Sequence, residues 1–238
     1  LDSAIQIDPL HPVPPFLLIV TDWLNQQSQF GYEASYQAIN EGVEKTIPMY
    51  EALIMEYSDN AEFVLFLGCT YGIKARIGLA VKDWFDVLYS GYKGVSLVKR
   101  AYKMDPELYD ALMPIGLLDY YSCISSTPIQ WISRIMGINP DCDVGIEKLE
   151  HAVEKSKYAW IESSNVLAYI YLYFEKDYEK SLQTVLPLVK NFPDHPYFQF
   201  LKAESLGRLD RWEEVSKMRS VLEQFTVTGS LLQKNECE

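Results

Sequence analysis

Between residues 162 and 225 apolar and polar positions trace one helix-turn-helix pattern written twice in succession. The first copy runs through Asn165, Ala168, Leu172, Asp177-Tyr178, Ser181, Val185 and Leu188 to Pro193, and Trp212 follows Tyr178 by 34 residues. In each copy an apolar first helix (Val166 to Phe174; Phe198 to Leu206) meets a polar turn, and an aromatic residue opens the second helix. Pro193 marks the end of the second helix, because proline lacks the N–H that another turn would use.

Upstream the same rhythm continues with longer strides. Residues 1–9 read as the last turns of a helix with an Asp-Pro stop, and Leu1, Ala4, Ile5 and Ile7 form an apolar stripe whose partner helix is not in the sequence. Pro12, Pro14 and Pro15 lead into an apolar helix from Phe16 to Leu24, and Asn25 to Gly31 reads as a turn. A long helix follows with Ile39, Val43, Ile47, Tyr50, Leu53, Ile54 and Tyr57 on one face; Pro48 is expected to kink or restart it. The stretch from Ala61 is a first helix in which Gly68 permits a close crossing, and Lys82 to Tyr89 extends or re-nucleates it. Its second helix carries Gly94, Val98, Ala101 and Pro106 as small, large, small and stop. Gly116 and then Gly145, Leu149 and Ala152 repeat those roles one unit later. Ala4, Leu53, Ala101, Ala152 and Leu188 are equivalent, at separations of 49, 48, 51 and 36. The early units therefore have residues to spare, which should lengthen helices or add a short one. About eleven helices and no sheet are expected.

Residues 125–140 interrupt this phase. Thr127-Pro128 reads as a cap and first helical residue, Gly137 as a terminator, and Ile129, Trp131, Ile132, Ile135 and Met136 as an apolar body. Burial of Trp131 in an extra helix docked on the array is the expectation; a lid of Trp131, Ile132 and Ile135 over a partner is the alternative. Residues 226–238 read as a tail without helical period.

Composition fits an all-α chain with a sizeable core: 48% of residues are apolar and only 12 are glycine. The net charge of −12 excludes binding to nucleic acid through phosphates. It is unevenly spread, since residues 1–60 carry −8 and residues 61–105 carry +3. The basic band of Lys74, Arg76, Lys82, Lys93, Lys99, Arg100 and Lys103 is a solvated helix face or a match for the acidic edge of a second copy. Weak, salt-dependent self-association through the N-terminal edge is expected on that ground, with a version extended upstream monomeric. No run reads as a membrane span. The four cysteines, Cys69, Cys123, Cys142 and Cys237, lack metal spacing and imply no disulfide framework.

Catalysis has no candidate residues. Glu147 and His151, one helical turn apart, are two metal ligands without a third. Asn139, Asp141, Asp143 and Glu150 imitate a calcium loop, but Val144 stands where the sharp turn needs glycine, so helix capping is the reading. GCTYGIK lacks phosphate-loop spacing. No metal and no cofactor are expected.

The recurring small positions and Pro or Asp-Pro stops over residues 1–225 resemble the tetratricopeptide repeat family. GCTYGIKARIGL, RAYKMDPELYDALMPIGLLDYY, GIEKLEHAVEKSKY and YLYFEKDYEKSL are similar to bacterial tetratricopeptide proteins with long early repeats and no agreed activity, many of them exported. That resemblance leans toward an exported or periplasmic protein over a cytoplasmic one. Thr46 and Ser181 stand in place of the usual alanine, and Ser58 in place of the stop proline. Val215 and Arg219 on the last helix suit a solvated cap.

The resemblance implies a right-handed α-α superhelix, one array over 1–225 that starts mid-repeat, with first helices lining a concave face. Leu65, Cys69 and Ile73, then Met113, Leu117, Tyr120 and Tyr121, then Val166, Ile170, Tyr173 and Phe174, and last Tyr197 and Phe200 fall on that face. Each could equally be core between repeats. Such a tyrosine-rich apolar groove suits a protein-interaction scaffold that holds a partner's peptide or helix. The alternative is a small-molecule or lipid-binding solenoid, which needs an enclosed cavity lined by Tyr120, Tyr121 and Trp131.

Overall fold

The computed structural model describes residues 2–228. Among them there is no strand, and 82% of these residues are helical. Twelve α-helices are joined by a 3-10 turn at Tyr109–Ala111 and a π turn at Tyr171–Glu175. They are α1 (Asp2–Ile7), α2 (Val13–Phe30), α3 (Tyr32–Glu56), α4 (Ala61–Val81), α5 (Trp84–Met104), α6 (Leu112–Cys123), α7 (Thr127–Ile135), α8 (Cys142–Lys155), α9 (Trp160–Ile170), α10 (Tyr178–Asn191), α11 (Pro196–Arg208) and α12 (Trp212–Thr228). Within each unit neighbouring helices pack in pairs, consistent with the all-α helical repeat arrangement expected from the periodicity. The surplus residues of the early units do lengthen helices: α4 and α5 have 21 residues each, against 14 in α10 and 13 in α11. The chain divides into two compact units, Leu1–Lys148 and Leu149–Glu238.

Three second helices begin by one rule. Lys82, Lys176 and Asp210 adopt positive φ (61, 58 and 57°) and end the preceding helix or turn. One residue later comes Asp83, Asp177 or Arg211, and then the aromatic first residue, Trp84, Tyr178 or Trp212. The carboxylates of Asp83 and Asp177 accept from the N–H groups of Asp86 and Lys180, each at 3.1 Å. Lys82 to Tyr89 thus re-nucleates a helix rather than extending one. Two other turns differ from expectation. Residues 25–30 stay helical, leaving Gly31 alone, at φ 85°, as the break between α2 and α3. Nothing between Asn25 and Phe30 forbids helix, whereas Gly31 takes a left-handed φ without strain. Pro48 lies inside an uninterrupted α3 rather than restarting it.

Within the first unit, close backbone approach fixes the hairpins. A Cβ on Gly68 would stand 2.9 Å from the Val98 nitrogen and 3.0 Å from the Gly94 carbonyl oxygen. One on Gly94 would stand 3.0 Å from the Gly68 oxygen, so the two glycines form one reciprocal crossing of α4 and α5. Gly145 of α8 repeats it against α6, where a Cβ would fall 2.7 Å from the Tyr120 nitrogen. Around these crossings sit Val64, Leu65, Val98, Ala101, Leu108, Ala111 and Ile115. A second cluster of Ile19, Ile39, Val43 and Ile77 joins α2, α3 and α4.

In the second unit the same place is held by Ala168 and Ser181. The fully buried Ser181 hydroxyl donates to the Ala168 carbonyl at 2.8 Å and pairs with the Ser205 hydroxyl at 2.9 Å. Serine in place of alanine thereby keeps the approach close without stranding a polar atom. The core here comprises Leu172, Leu182, Val185, Leu188, Phe198, Leu201 and Leu206. Among the described side chains of α12 Met218 is buried and most others are exposed, as expected of a solvated cap. This helix runs three residues into the expected tail, and the rest of that tail lies outside the described residues, as do Leu1 and Cys237.

Cys123 and Cys142 form a disulfide, with their Cα atoms 5.4 Å apart. The sequence reading that the cysteines imply no disulfide framework is therefore corrected. Their separation of 19 residues brackets the whole insertion, and the bond fastens its two ends together.

Gly145→Val is expected to lower stability by about 1–3 kcal/mol, because its side chain must push against the Tyr120 backbone rather than a movable side-chain tip. Urea unfolding followed by circular dichroism measures this; an unchanged midpoint would mean that the crossing tolerates a wider spacing. The double variant Cys123→Ser, Cys142→Ser should lose ~3 kcal/mol, the loop-closure entropy of a loop of this length. Wild-type protein in reductant should melt at the variant's temperature.

Candidate functional site

The insertion forms a helix as expected but turns the opposite way. Gly137 closes it at φ 80°. Ser126, not Thr127, occupies the cap position, and Pro128 falls in the first turn. Ser133 is buried, while Trp131 is 64% exposed and Ile132 and Ile135 also point to solvent. The expected burial of Trp131 is thus overturned. The cause is polar: the Gln130 amide donates to the carbonyls of Cys123 (2.8 Å) and Ser125 (3.1 Å), which holds that face of α7 inward. The far end is fastened by Asp119, whose buried carboxylate pairs with Lys148 and accepts from the Asn139 N–H at 2.9 Å. Lys99 adds a hydrogen bond to the Gly137 carbonyl. Asp141, part of the calcium-like segment, accepts from the Val144 N–H at 3.1 Å as a helix cap. Among the described residues no group of three or more His, Cys, Asp or Glu side chains could hold a metal.

The residues expected to line a groove divide by burial. Leu65, Tyr120 and Ile170 are core, corrected from groove lining, with 2%, 0% and 0% of their surface exposed. Tyr120 is enclosed and Trp131 faces solvent, so these two do not line a common cavity. In the first unit Cys69, Ile73, Met113, Leu117 and Tyr121 remain half-buried. An open groove of about 340 Å³ lies elsewhere, over Glu51, Leu67, Tyr71, Tyr92, Lys93 and Arg100. Its floor is a polar chain in which Lys93 Nζ donates to the Tyr71 hydroxyl (3.0 Å) and that hydroxyl donates to Glu51 (3.1 Å). The two tyrosine hydroxyls of Tyr71 and Tyr89 beside Lys93 raise its pKa, and burial raises that of Tyr71.

The second unit repeats this chain in phase. Tyr171 donates to Glu150 at 2.6 Å, and Lys180 stands 3.6 Å from the same carboxylate and 5.0 Å over the tyrosine ring. Burial first, and Glu150 next, raise the Tyr171 pKa, so it is a neutral donor across the physiological range. Tyr71 and Tyr171 follow the crossing residues Gly68 and Ala168 by three positions, and Lys93 and Lys180 precede Gly94 and Ser181 by one.

Aromatic side chains gather on the first helices of this second unit. Tyr169 lies 4.7 Å from Tyr173 and 6.0 Å from Phe174, ring centre to ring centre, and Tyr197 lies 6.2 Å from Phe200. Val166, Tyr173, Tyr197 and Phe200 are half-buried and Phe174 is exposed. Phe200 opens onto a groove of about 630 Å³ with Tyr178, Ala203, Glu204, Gly207, Arg208, Asp210, Trp212 and Val215. Sequence reasoning did not name Trp212 as a lining residue, although its place at the helix start was plain. Gly207 leaves room for the indole, whose nearest ring carbons would lie 3.5 Å from a Cβ there. The indole N–H donates to Asp210 at 3.3 Å, yet the ring stays 62% exposed.

The remaining candidates resolve simply. α4 is long and apolar enough to cross a membrane by composition, which corrects the sequence reading that no run is. Ten of its residues are nonetheless buried against neighbouring helices, as in a core helix. Ala4 and Ile7 of α1 are exposed, Ile7 by 85%.

The half-buried Cys69 has its thiol pushed up to about 12, chiefly by burial and then by Asp110. A raised pKa means that the folded state holds this proton longer than the unfolded chain. Stability should accordingly be unaffected below pH 9.0, the ordinary thiol value, and fall progressively toward pH 12. Cys69→Ala should flatten that alkaline limb of the melting-temperature profile. Compared with known proteins, the chain matches no family model and no curated protein.

Proposed function

We propose that this protein is a non-catalytic interaction scaffold of tetratricopeptide type, whose second unit holds an extended peptide or a helix of a partner protein. The observation that carries this reading is the open aromatic groove of Tyr178, Phe200 and Trp212. Trp212 is positioned by Asp210 and Gly207 but left largely uncovered, and such a fixed aromatic ring is what a partner side chain packs against at little entropic cost. The groove is open along its length, which suits a chain passing through it better than an enclosed small molecule. Glu204 and Asp210 on its rim, against Arg208 alone, favour a partner segment carrying a basic residue beside its apolar anchors. The tyrosines that precede it, Tyr169 and Tyr173, extend the apolar floor.

The small-molecule or lipid-binding alternative loses its support, because Tyr120 and Trp131 do not share a cavity. Export of the protein is favoured by the disulfide, which persists in oxidising compartments.

Trp212→Ala and Phe200→Ala should each weaken partner capture at least tenfold, in line with the loss of a central aromatic anchor. Trp212→Ala should leave the melting temperature nearly unchanged, since the ring is mostly in solvent. Affinity capture of cross-linked partners by wild type and both variants, followed by mass spectrometry, is the test. Partners recovered equally by all three proteins would place the binding surface elsewhere.

A further inference from the structure

The first unit also carries an exposed apolar surface outside its groove. At the end of the α4–α5 hairpin, Leu79, Val81, Trp84, Phe85, Leu88 and Tyr89 are all exposed, Phe85 by 82% and Trp84 by 63%. α7 belongs to the same end. Its start is bonded through Gln130 to the end of α6, and its last turn brings Met136 to Gly91 of α5, two turns from Trp84. The outward side of α7 adds Trp131, Ile132 and Ile135. Side chains this exposed project from the body rather than line a hollow, so they suit a surface that they can enter.

The charge around them is opposite to that of the chain. Residues 74–93 and 125–140 carry five lysines and arginines against two aspartates, in a protein of net charge −12. Both aspartates are engaged: Asp83 caps α5, and Asp86 accepts from Ser90 and lies 3.8 Å from Lys74. Lys82 at the hairpin turn and Arg134 on α7 are exposed among the apolar residues. Tryptophan and phenylalanine at the hairpin tip, tryptophan and isoleucine on α7 and basic residues among them match the apolar and charged parts of an anionic bilayer surface. Gln130, bonded to the end of α6, holds α7 with its apolar side outward, against the burial that its composition alone would favour.

We propose that α7 and the tip of the α4–α5 hairpin form a peripheral docking surface for anionic lipid bilayers, entering the headgroup region without spanning it. The proposal is independent of the peptide groove of the second unit. Single tryptophan and isoleucine side chains add to the electrostatic attraction between basic residues and anionic headgroups, so both parts should be measurable separately.

Flotation of the full protein with vesicles of phosphatidylcholine alone, and of phosphatidylcholine mixed with phosphatidylglycerol, tests this. The expected result is flotation with the mixed vesicles only, weakened by high salt. The exposed-site variant Trp131→Glu, Ile135→Glu should bind at least tenfold more weakly with an unchanged melting temperature, and so should Trp84→Ala, Phe85→Glu. Lys82→Glu, Arg134→Glu should lose binding to mixed vesicles at low salt. Failure to float with either vesicle, equal flotation with both, or flotation indifferent to these variants overturns the proposal. So does sedimentation showing that the same variants dissolve a dimer, which would assign the patch to a second copy.

Discussion

Everything in the two units hangs on how closely paired helices approach where they cross. A side chain at Gly68, Gly94 or Gly145 would enter space already held by the backbone of the facing helix, so the distance between axes is set by missing atoms rather than by flexible ones. Once that distance is fixed, the residues a turn away on each side must meet as core. Val98 and Ala101 follow Gly94, and Leu149 and Ala152 follow Gly145; all four are buried. Ser181 achieves the same approach by a different route, filling the space with a hydroxyl that finds two partners. Close packing of this kind is intolerant of added volume, which gives a repeated structure a fixed step.

A second constraint recurs beside the first. Glu51–Tyr71–Lys93 and Glu150–Tyr171–Lys180 each join three helices, with the tyrosine hydroxyl donating to the carboxylate. Because each ring is buried and each hydroxyl is a neutral donor, the chain satisfies a polar atom at the seam between hairpins without burying an unpaired charge. The intervening junction uses other chemistry. Asp119 stands three residues after Gly116, where the other seams have tyrosine, and its carboxylate is matched by Lys148. This is also the junction that carries the insertion. A buried carboxylate can grip the backbone N–H of Asn139 where a phenol could not accept so strongly, and so it ties the insertion to the stack.

The two units consequently offer different surfaces. The second has short helices, an aromatic floor and a positioned tryptophan, and its apolar residues are mostly half-covered. The first has long helices whose hairpin tip projects, and an extra helix held with its apolar side out. Both features follow from where the additional residues of the early repeats were placed. Longer α4 and α5 carry Trp84 and Phe85 to the end of the hairpin, and the insertion lies next to that end.

Much of this was legible in the chain itself. Local rules determined the helices: an aromatic residue after a capping position opened α10 and α12, small residues in phase marked the crossings, and glycine at 137 stopped α7. The same opening rule applies at Lys82-Asp83-Trp84, where the apolar run before it left extension and re-nucleation both open in the sequence. What the sequence could not determine was direction. Nothing in the spacing of Ile129, Trp131, Ile132 and Ile135 says which side of a helix faces the body, and apolar content alone argued for burial. Only the tertiary structure decided that, through Gln130 reaching carbonyls at the end of α6, Asp119 holding Asn139, and two cysteines brought within bonding distance. The groove was undecided for the same reason. Leu65, Tyr120 and Ile170 share a helical face with Cys69, Leu117 and Val166, and which of them is covered depends on neighbouring helices that no local pattern positions.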